Sequence, residues 1–311
     1  THCISSAASD VYKRQGYARS VTDNHLSQTI MALAEQRTSG GPAPDMVLWP
    51  ENSTDIDPVL DFESHQIVIG ALTLSNRPTL VGAVTDGPGH NERQTTSMWW
   101  PPSSPQPTST YHKRNLVPFG EWIPARSFFL PLIPILGKIG RQSVPGTTPG
   151  VVDATIAGRR VPVGVVVCFE VAYDSTVADT VRHGAKILAV QSNNSSFIDT
   201  AQTPQQWQIT RARAVETGRH IVVSTTNSFS GLVNPDGSVA LRTEEGVHTH
   251  FTVTIPLESG LTIGVQIAPW LRIIVLVMTA GAIAMSLLQR RRAMLAQANH
   301  NRSERNVRHR H

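Results

Sequence analysis

Three segments of this chain place a reactive side chain where a strand is expected to end, two of them after an apolar run. Met46–Trp49 leads through Pro50 to Glu51. The stretch Tyr111-His112-Lys113-Arg114-Asn115-Leu116-Val117-Pro118-Phe119-Gly120-Glu121 carries a lysine and, across a Pro/Gly turn, a second glutamate. Val161–Val167 ends in Cys168, followed at once by Phe169 and Glu170. A thiol near its free pKa of ~8.5 is only a few per cent thiolate at neutral pH, so a nucleophilic cysteine needs a base and a cation beside it. Glu51 has the chemistry of the base, Cys168 of the nucleophile, and Lys113 of the cation that stabilises an oxyanion. A lone cysteine is more often a small buried hydrophobe; the two accompanying strand-end charges favour the nucleophile. The other cysteine, Cys3, lies in the irregular head of the chain.

In order and spacing these segments resemble the carbon–nitrogen hydrolase (nitrilase) superfamily. W-P-E, Y-x-K-x-x-L-V-P-F-G-E and C-[aromatic]-E follow one another at spacings of 62 and 55 residues from Glu51 to Lys113 to Cys168. The long middle motif is most similar to the membrane branch, the apolipoprotein N-acyltransferases, and the likeness runs from about Asp45 to about Ile255. The resemblance implies a Glu51–Lys113–Cys168 triad, with Glu121, Phe169 and Glu170 in supporting places. It also implies transfer of a phospholipid acyl chain, through a Cys168 thioester, to the α-amine of a diacylglyceryl-prolipoprotein. No cofactor is implied. A membrane-tethered amidase using the same triad is the alternative, and a catalytically dead, membrane-anchored binding module is a third reading.

Further stretches fit. Ser192-Asn193-Asn194-Ser195-Ser196-Phe197 resembles the family's S-N-D-A-W-F, with Asn194 and Ser196 in place of Asp and Trp. Arg211–Arg219 matches R-x-R-A-x-E-x-G-R. Phe169 stands where the family has Tyr, and Ser228 where a glycine follows Asn227. None of these departures touches the triad.

The elements that must carry these residues read as alternating strands and helices. Apolar runs at Met46–Trp49, Ile67–Leu72, Leu80–Val84, Val161–Val167, Ala185–Val190, Ile221–Thr225 and His250–Ile255 are expected as strands, and Leu26–Ala34 and Thr203–Thr217 as helices. Gly87–Gly89 and Pro101–Pro107 read as turns, and Asn234-Pro235-Asp236-Gly237 as a hairpin. The family resemblance implies an α/β fold: a nitrilase-like α-β-β-α sandwich, followed by a C-terminal transmembrane helix. Between the lysine motif and the cysteine strand, Phe128, Phe129 and Leu132 belong to an apolar arm whose prolines argue against regular structure. The arm is expected to lie against lipid and line an acyl-chain site.

Ile273–Leu288 is uncharged and apolar, and extension back through Arg272, Trp270 and Ile267 reaches the ~20 residues that span a bilayer, with Arg272 near one end able to snorkel. The tail from Arg290 to His311 holds seven arginines and one glutamate. The positive-inside rule therefore puts the tail in the cytoplasm and the catalytic part on the outer face of a bacterial inner membrane. The formal net charge of +4 owes much to that tail, so the folded part offers no basic surface for nucleic acid. No His/Cys cluster has metal-ligand spacing. The expected organisation is a non-native or disordered head (1–20), a catalytic domain (21–262), a transmembrane helix (263–289) and a basic tail (290–311). Thr1–Gln15 shows no periodicity and no signal-peptide core, and the family's upstream membrane helices and first strand are not seen; the chain is expected to be a fragment.

Overall fold

A computed structural model describes residues 2–308; the last three residues of the basic tail, and Thr1 of the head, lie outside the described residues. Two units are distinguished, residues 1–265 and 266–311.

The first unit is built on two sheets. One contains β1 (Val47–Leu48), β2 (Thr79–Asp86), β3 (Glu92–Trp100) and β4 (Ser109–His112) in that order, with β5 (Gln142–Ser143) paired to the start of β3. The other contains β6 (Val151–Ile156), β7 (Arg159–Val167), β8 (Ile187–Ser192), β9 (Ile221–Thr225), β10 (Gly231–Val233) and β11 (Val239–Arg242), ordered β11-β10-β9-β8-β7-β6. Strands β7, β8 and β9 are parallel, with Val167 opposite Gln191 and Ser192 opposite Thr225. Their C-terminal ends therefore open onto one rim, level with Cys168 and the Asn193–Asn194 loop.

Three apolar layers hold the sandwich. Leu80, Trp99 and Tyr111 of the first sheet meet Val163, Val165, Val167 and Ala189 of the second. The outer face of the first sheet packs Val81, Ala83 and Trp100 against Val68, Ala71 and Leu72 of α2 (Phe62–Ser75). On the far side, Val166, Leu188 and Val223 meet Val177 and Val181 of α4 (Asp174–Arg182), and Trp207 and Ala214 of α5 (Gln202–Thr217). Each fully buried Val, Leu or Ile contributes about 1.5–3 kcal/mol over exposure, so these layers supply the main driving force. The helix–sheet–sheet–helix architecture is the one expected.

Several elements follow the sequence closely. Helix α5 ends where Gly218 turns into the left-handed region and donates its N–H to Ala214. The Asn234–Gly237 turn joins β10 to β11, with Gly237 N–H donating to the Asn234 carbonyl. The 87–89 and 101–107 joints connect β2 to β3 and β3 to β4.

Others differ. Ile67–Leu72 is not a strand but the middle of α2. Asp61 caps that helix by accepting from Ser64 N–H, and Ser64, Val68, Ala71, Leu72 and Ser75 form its buried face at helical spacing. His250–Ile255 is extended, with Phe251, Val253 and Ile255 against the inter-sheet core, yet it forms no strand. The arm is helical where its prolines suggested otherwise: α3 (Arg126–Leu132) contains Pro131, and a 3-10 turn runs Pro134–Lys138. The first helix, α1 (His2–Ser39), is much longer than Leu26–Ala34 and runs through the segment expected to lack structure.

In the second unit, α6 (Ile263–Arg308, continuing from the end of the first unit) is long and apolar enough over Ile263–Ala296 to cross a membrane. The described side chains of residues 273–288 are all exposed.

Candidate active site

Glu51 is delivered by the turn that follows β1, and that turn is pressed against β2. A Cβ on Gly82 would stand 2.2 Å from the Pro50 carbonyl oxygen and 2.8 Å from the Glu51 Cα, so only glycine permits the approach. Ser53 Oγ and Thr54 N–H donate to the Gly82 carbonyl and close the turn. The Glu51 carboxylate is buried, accepting from Asn193 N–H at 2.7 Å through Oε2 and from Lys113 Nζ at 3.0 Å through Oε1.

Lys113 follows β4 and is only 2% exposed. Its ammonium donates to Glu51 and, at 3.0 Å, to Glu121 Oε1. An ammonium has three N–H groups, so one remains for a third acceptor. Glu121 is fixed in turn by Val117 N–H on Oε2 at 2.8 Å, across a turn in which Phe119 takes a positive φ of 59°. Glu121 thus holds the Lys113 ammonium together with Glu51.

Cys168 opens a 3-10 turn, Cys168–Ala172, immediately after β7, with φ of 50°. A non-glycine residue held there costs on the order of 1–3 kcal/mol, and such strain is concentrated where a side chain must be presented. The thiol is partly buried and lies against Asn194, whose Oδ1 accepts from Sγ at 3.7 Å. Burial and the Glu51 carboxylate push the Cys168 thiol up to about 12, while Lys113 and a hydrogen bond from Ser192 pull the other way. Burial likewise raises Glu51 above the usual carboxylate range, against the pull of Lys113, which makes it a stronger base. For Lys113 burial alone would lower the value, but Glu51, Cys168 and Glu121 together raise it, so the ammonium stays charged. The structure therefore brings Glu51, Lys113 and Cys168 together, with the resting thiol protonated beside a strengthened base.

Glu170 does not orient Lys113 directly. It is fully buried and saturated: Oε1 accepts from Tyr111 Oη and the Arg114 and Asn115 N–H groups, and Oε2 from Val167 N–H. It ties the cysteine turn to the chain just beyond Lys113. Phe169 points outward and packs edge-on against Tyr173, with centroids 5.3 Å apart. Phe128 and Leu132 are 62% and 64% exposed; Phe129 is half-buried between Phe119 and Phe128. Among the described residues no group of His, Cys, Asp and Glu could hold a metal.

Sequence reasoning missed the polar links behind the rim. Gln191 accepts from Ser97 Oγ at 2.5 Å and donates to the Trp49 carbonyl at 2.6 Å, joining the two sheets just below Glu51. Asn194 and Gln206 are joined at 2.6 Å. Asn194 stands in the Ser192–Phe197 motif, but nothing local marks Gln191 or Gln206; the register that levels β7 with β8 and the packing of α5 bring them behind the thiol. A cavity of about 420 Å³ lies between α1, β1 and residues 247–252, with Trp49, Pro50 and Thr226 in its wall; neither Cys168 nor Lys113 lines it.

A strand-end thiol, a buried carboxylate and a buried ammonium on the rim of an α-β-β-α sandwich define the nitrilase class of site. The carbon–nitrogen hydrolase family profile matches residues 68–260, and the chain belongs to that family. Among curated relatives it is 34% identical over 275 residues to the apolipoprotein N-acyltransferase of Mycolicibacterium smegmatis, covering 87% of this chain and 45% of that protein. It is 29% identical over 296 residues to the apolipoprotein N-acyltransferase of Bdellovibrio bacteriovorus, covering 90% and 52%. The chain spans about half the length of these relatives. Among solved structures, a nitrilase-superfamily amidase of Nesterenkonia aligns with a TM-score of 0.52 at 16% identity, over 72% of this chain and 81% of the other. A branch 10 member of the superfamily from Saccharomyces cerevisiae gives 0.51 at 17% identity, over 72% and 82%. These two likenesses establish the fold.

Proposed function

We propose that this chain is the acyl-transferring part of an apolipoprotein N-acyltransferase, with Glu51, Lys113 and Cys168 as its catalytic residues. The observation that carries the reading is the buried Glu51–Lys113–Glu121 ion cluster against a strained, partly accessible cysteine, in a chain whose curated relatives bear that name. Glu51 takes the thiol proton as Sγ attacks the ester carbonyl of a phospholipid. The free N–H of Lys113 holds the tetrahedral oxyanion. Collapse breaks the ester C–O bond, and the leaving lysophospholipid oxygen takes the proton back from Glu51. The acyl group is then a thioester on Cys168. The free α-amine of a diacylglyceryl-cysteine at the N-terminus of an apolipoprotein attacks it, Glu51 accepts the amine proton, and the C–S bond breaks to return the thiol.

The exposed arm supports a lipid acyl donor: Phe128, Leu132, Ile133 and Ile135 offer apolar surface that water does not favour. Helix α6 supports a bilayer setting, with the catalytic domain (21–262) on the outer face of a bacterial inner membrane and the arginine-rich tail in the cytoplasm. A reporter fused after His311 should read as cytoplasmic and one inserted at residues 234–237 as external; both on one side would refute the span.

The test of the reaction is transfer. Protein incubated with phospholipid and a synthetic diacylglyceryl-cysteine peptide should add one acyl mass to the peptide amine. Release of free fatty acid with an unmodified peptide would show ester hydrolysis with water as acceptor, and a folded chain that leaves phospholipid untouched but hydrolyses a small amide would be the tethered amidase.

A further inference from the structure

Behind the Cys168 thiol runs a closed set of polar side chains that the reaction as described does not use. Asn194 is buried; its Oδ1 accepts from Cys168 Sγ at 3.7 Å and its Nδ2 donates to Gln206 Oε1 at 2.6 Å. Gln206 lies on α5 and donates through Nε2 to Ser192 Oγ at 3.0 Å. Ser192, fully buried at the end of β8, has its hydroxyl on the side of the sulfur, where it favours the Cys168 thiolate. Each amide has one accepting and one donating end, so the direction of every bond in the set is linked to the next. With Gln206 accepting from Asn194, the Asn194 oxygen must face the sulfur. With Gln206 donating to Ser192, that hydroxyl has its own hydrogen left for the sulfur.

We propose that Gln206 is a positioning residue that sets how the Cys168 sulfur is hydrogen-bonded: an acceptor, Asn194 Oδ1, holds the resting thiol proton, and a donor, Ser192 Oγ, waits for the thiolate. Gln206 does this through its neighbours; it touches neither Cys168 nor any reacting atom. The device keeps the thiol protonated and turned toward Asn194 until substrate arrives, and still offers the thiolate a donor once Glu51 has taken the proton. The charged groups facing the sulfur are Glu51, Lys113 and Glu121, and all three are unchanged by substitution at Gln206. The inference rests on the reading of Cys168 as the nucleophile.

Two substitutions of nearly equal size should act in opposite directions. Gln206→Glu still accepts from Asn194, but cannot donate to Ser192. The Ser192 hydroxyl turns to the new carboxylate and leaves the sulfur, and the added negative charge acts in the same sense, so the thiol should titrate higher; the uncharged Gln206→Met and Ser192→Ala read the hydrogen bonds alone. Gln206→Met releases Asn194, whose amide can rotate to present Nδ2 to the thiolate, so the thiol should titrate lower. The measurement is the pH profile of Cys168 alkylation by iodoacetamide, on the full chain in detergent micelles, followed by intact mass. At a fixed pH on the rising limb, Gln206→Glu should alkylate about tenfold more slowly than the wild type and Gln206→Met faster, one unit of midpoint being a factor of ten. Ser192→Ala, which removes the donor itself, should move the profile the same way as Gln206→Glu. Melting temperature identifies any variant that does not fold, and the remaining two still decide the matter. Shifts of the same sign in Gln206→Glu and Gln206→Met, or profiles equal to wild type in folded protein, would overturn the proposal. Alkylation shifts as predicted without any acyl adduct from phospholipid would leave this inference standing and count against the acyltransferase reading.

Discussion

Two neighbouring stretches of the first unit invert the usual partition of side chains. At the rim, Glu51 and Lys113 are charged and almost wholly buried; in the arm, Phe128, Leu132 and Ile135 are apolar and exposed. Burying an ion pair gains little stability for its desolvation cost, and exposing several large apolar groups together forfeits what burial would contribute. Neither is explained by folding. The difference fits the proposed roles: the rim holds charge where water screens it least, and the arm leaves apolar surface outside the protein's own core.

The comparison is broken most severely at the rim. Glu51→Gln removes the base and should slow acyl-enzyme formation by about 10²–10⁴. It also removes the negative charge that, after burial, does most to push the Cys168 thiol up, so the thiol should titrate lower even as activity falls. Lys113→Ala should slow the same step by about 10²–10³, the scale of losing one oxyanion donor. Here the thiol should titrate higher, because the cation that favours the thiolate is gone. The unpaired Glu51 left behind should cost about 3–5 kcal/mol of stability, visible as a lower Tm. Thiolate absorbance against pH checks the opposite signs, and equal shifts in both variants would break the assignment of roles.

The arm should respond in the reverse sense. Replacing Phe128, Phe129 and Leu132 together by Ser removes no catalytic group. Because Phe128 and Leu132 are already exposed, little stability should be lost there, and half-buried Phe129 should account for most of any fall in Tm. Turnover of phospholipid in micelles should fall about tenfold or more, since each side chain contributes about 1.5–3 kcal/mol when covered by lipid. Alkylation of Cys168 by a small water-soluble probe should be unchanged. Equal loss of both reactivities would make the arm ordinary core.

What was legible in the sequence follows from how locally each feature is encoded. Glu51 and Cys168 each close an apolar run, so their place at a strand end is written within a few residues; Lys113 follows the polar strand Ser109–His112 and is marked instead by the Y-x-K-x-x-L-V-P-F-G-E motif. The Ile67–Leu72 run is apolar at nearly every position, and its helical nature resides in the Asp61 cap and in Ser64 and Ser75 on the buried face. Strand β3 was not seen because Thr95–Trp100 is buried on both faces, which erases the alternation that marks a half-exposed strand. Pro131 and Pro134 count against helix by residue type, yet a seven-residue helix and a 3-10 turn begun by proline tolerate them. Asn194, Gln206 and Ser192 meet only through the register of β8 with β7 and the packing of α5, and no window of sequence holds that information.

The central claim is that Cys168 becomes acylated by phospholipid. Intact mass spectrometry of the purified chain after incubation with phospholipid vesicles tests it most directly, with hydroxylamine treatment to confirm a thioester and peptide mapping to locate it. The wild type should gain one acyl mass on Cys168, sensitive to hydroxylamine, and Cys168→Ala should gain none. A folded wild type that stays unmodified, or an adduct that persists in Cys168→Ala, would contradict the account.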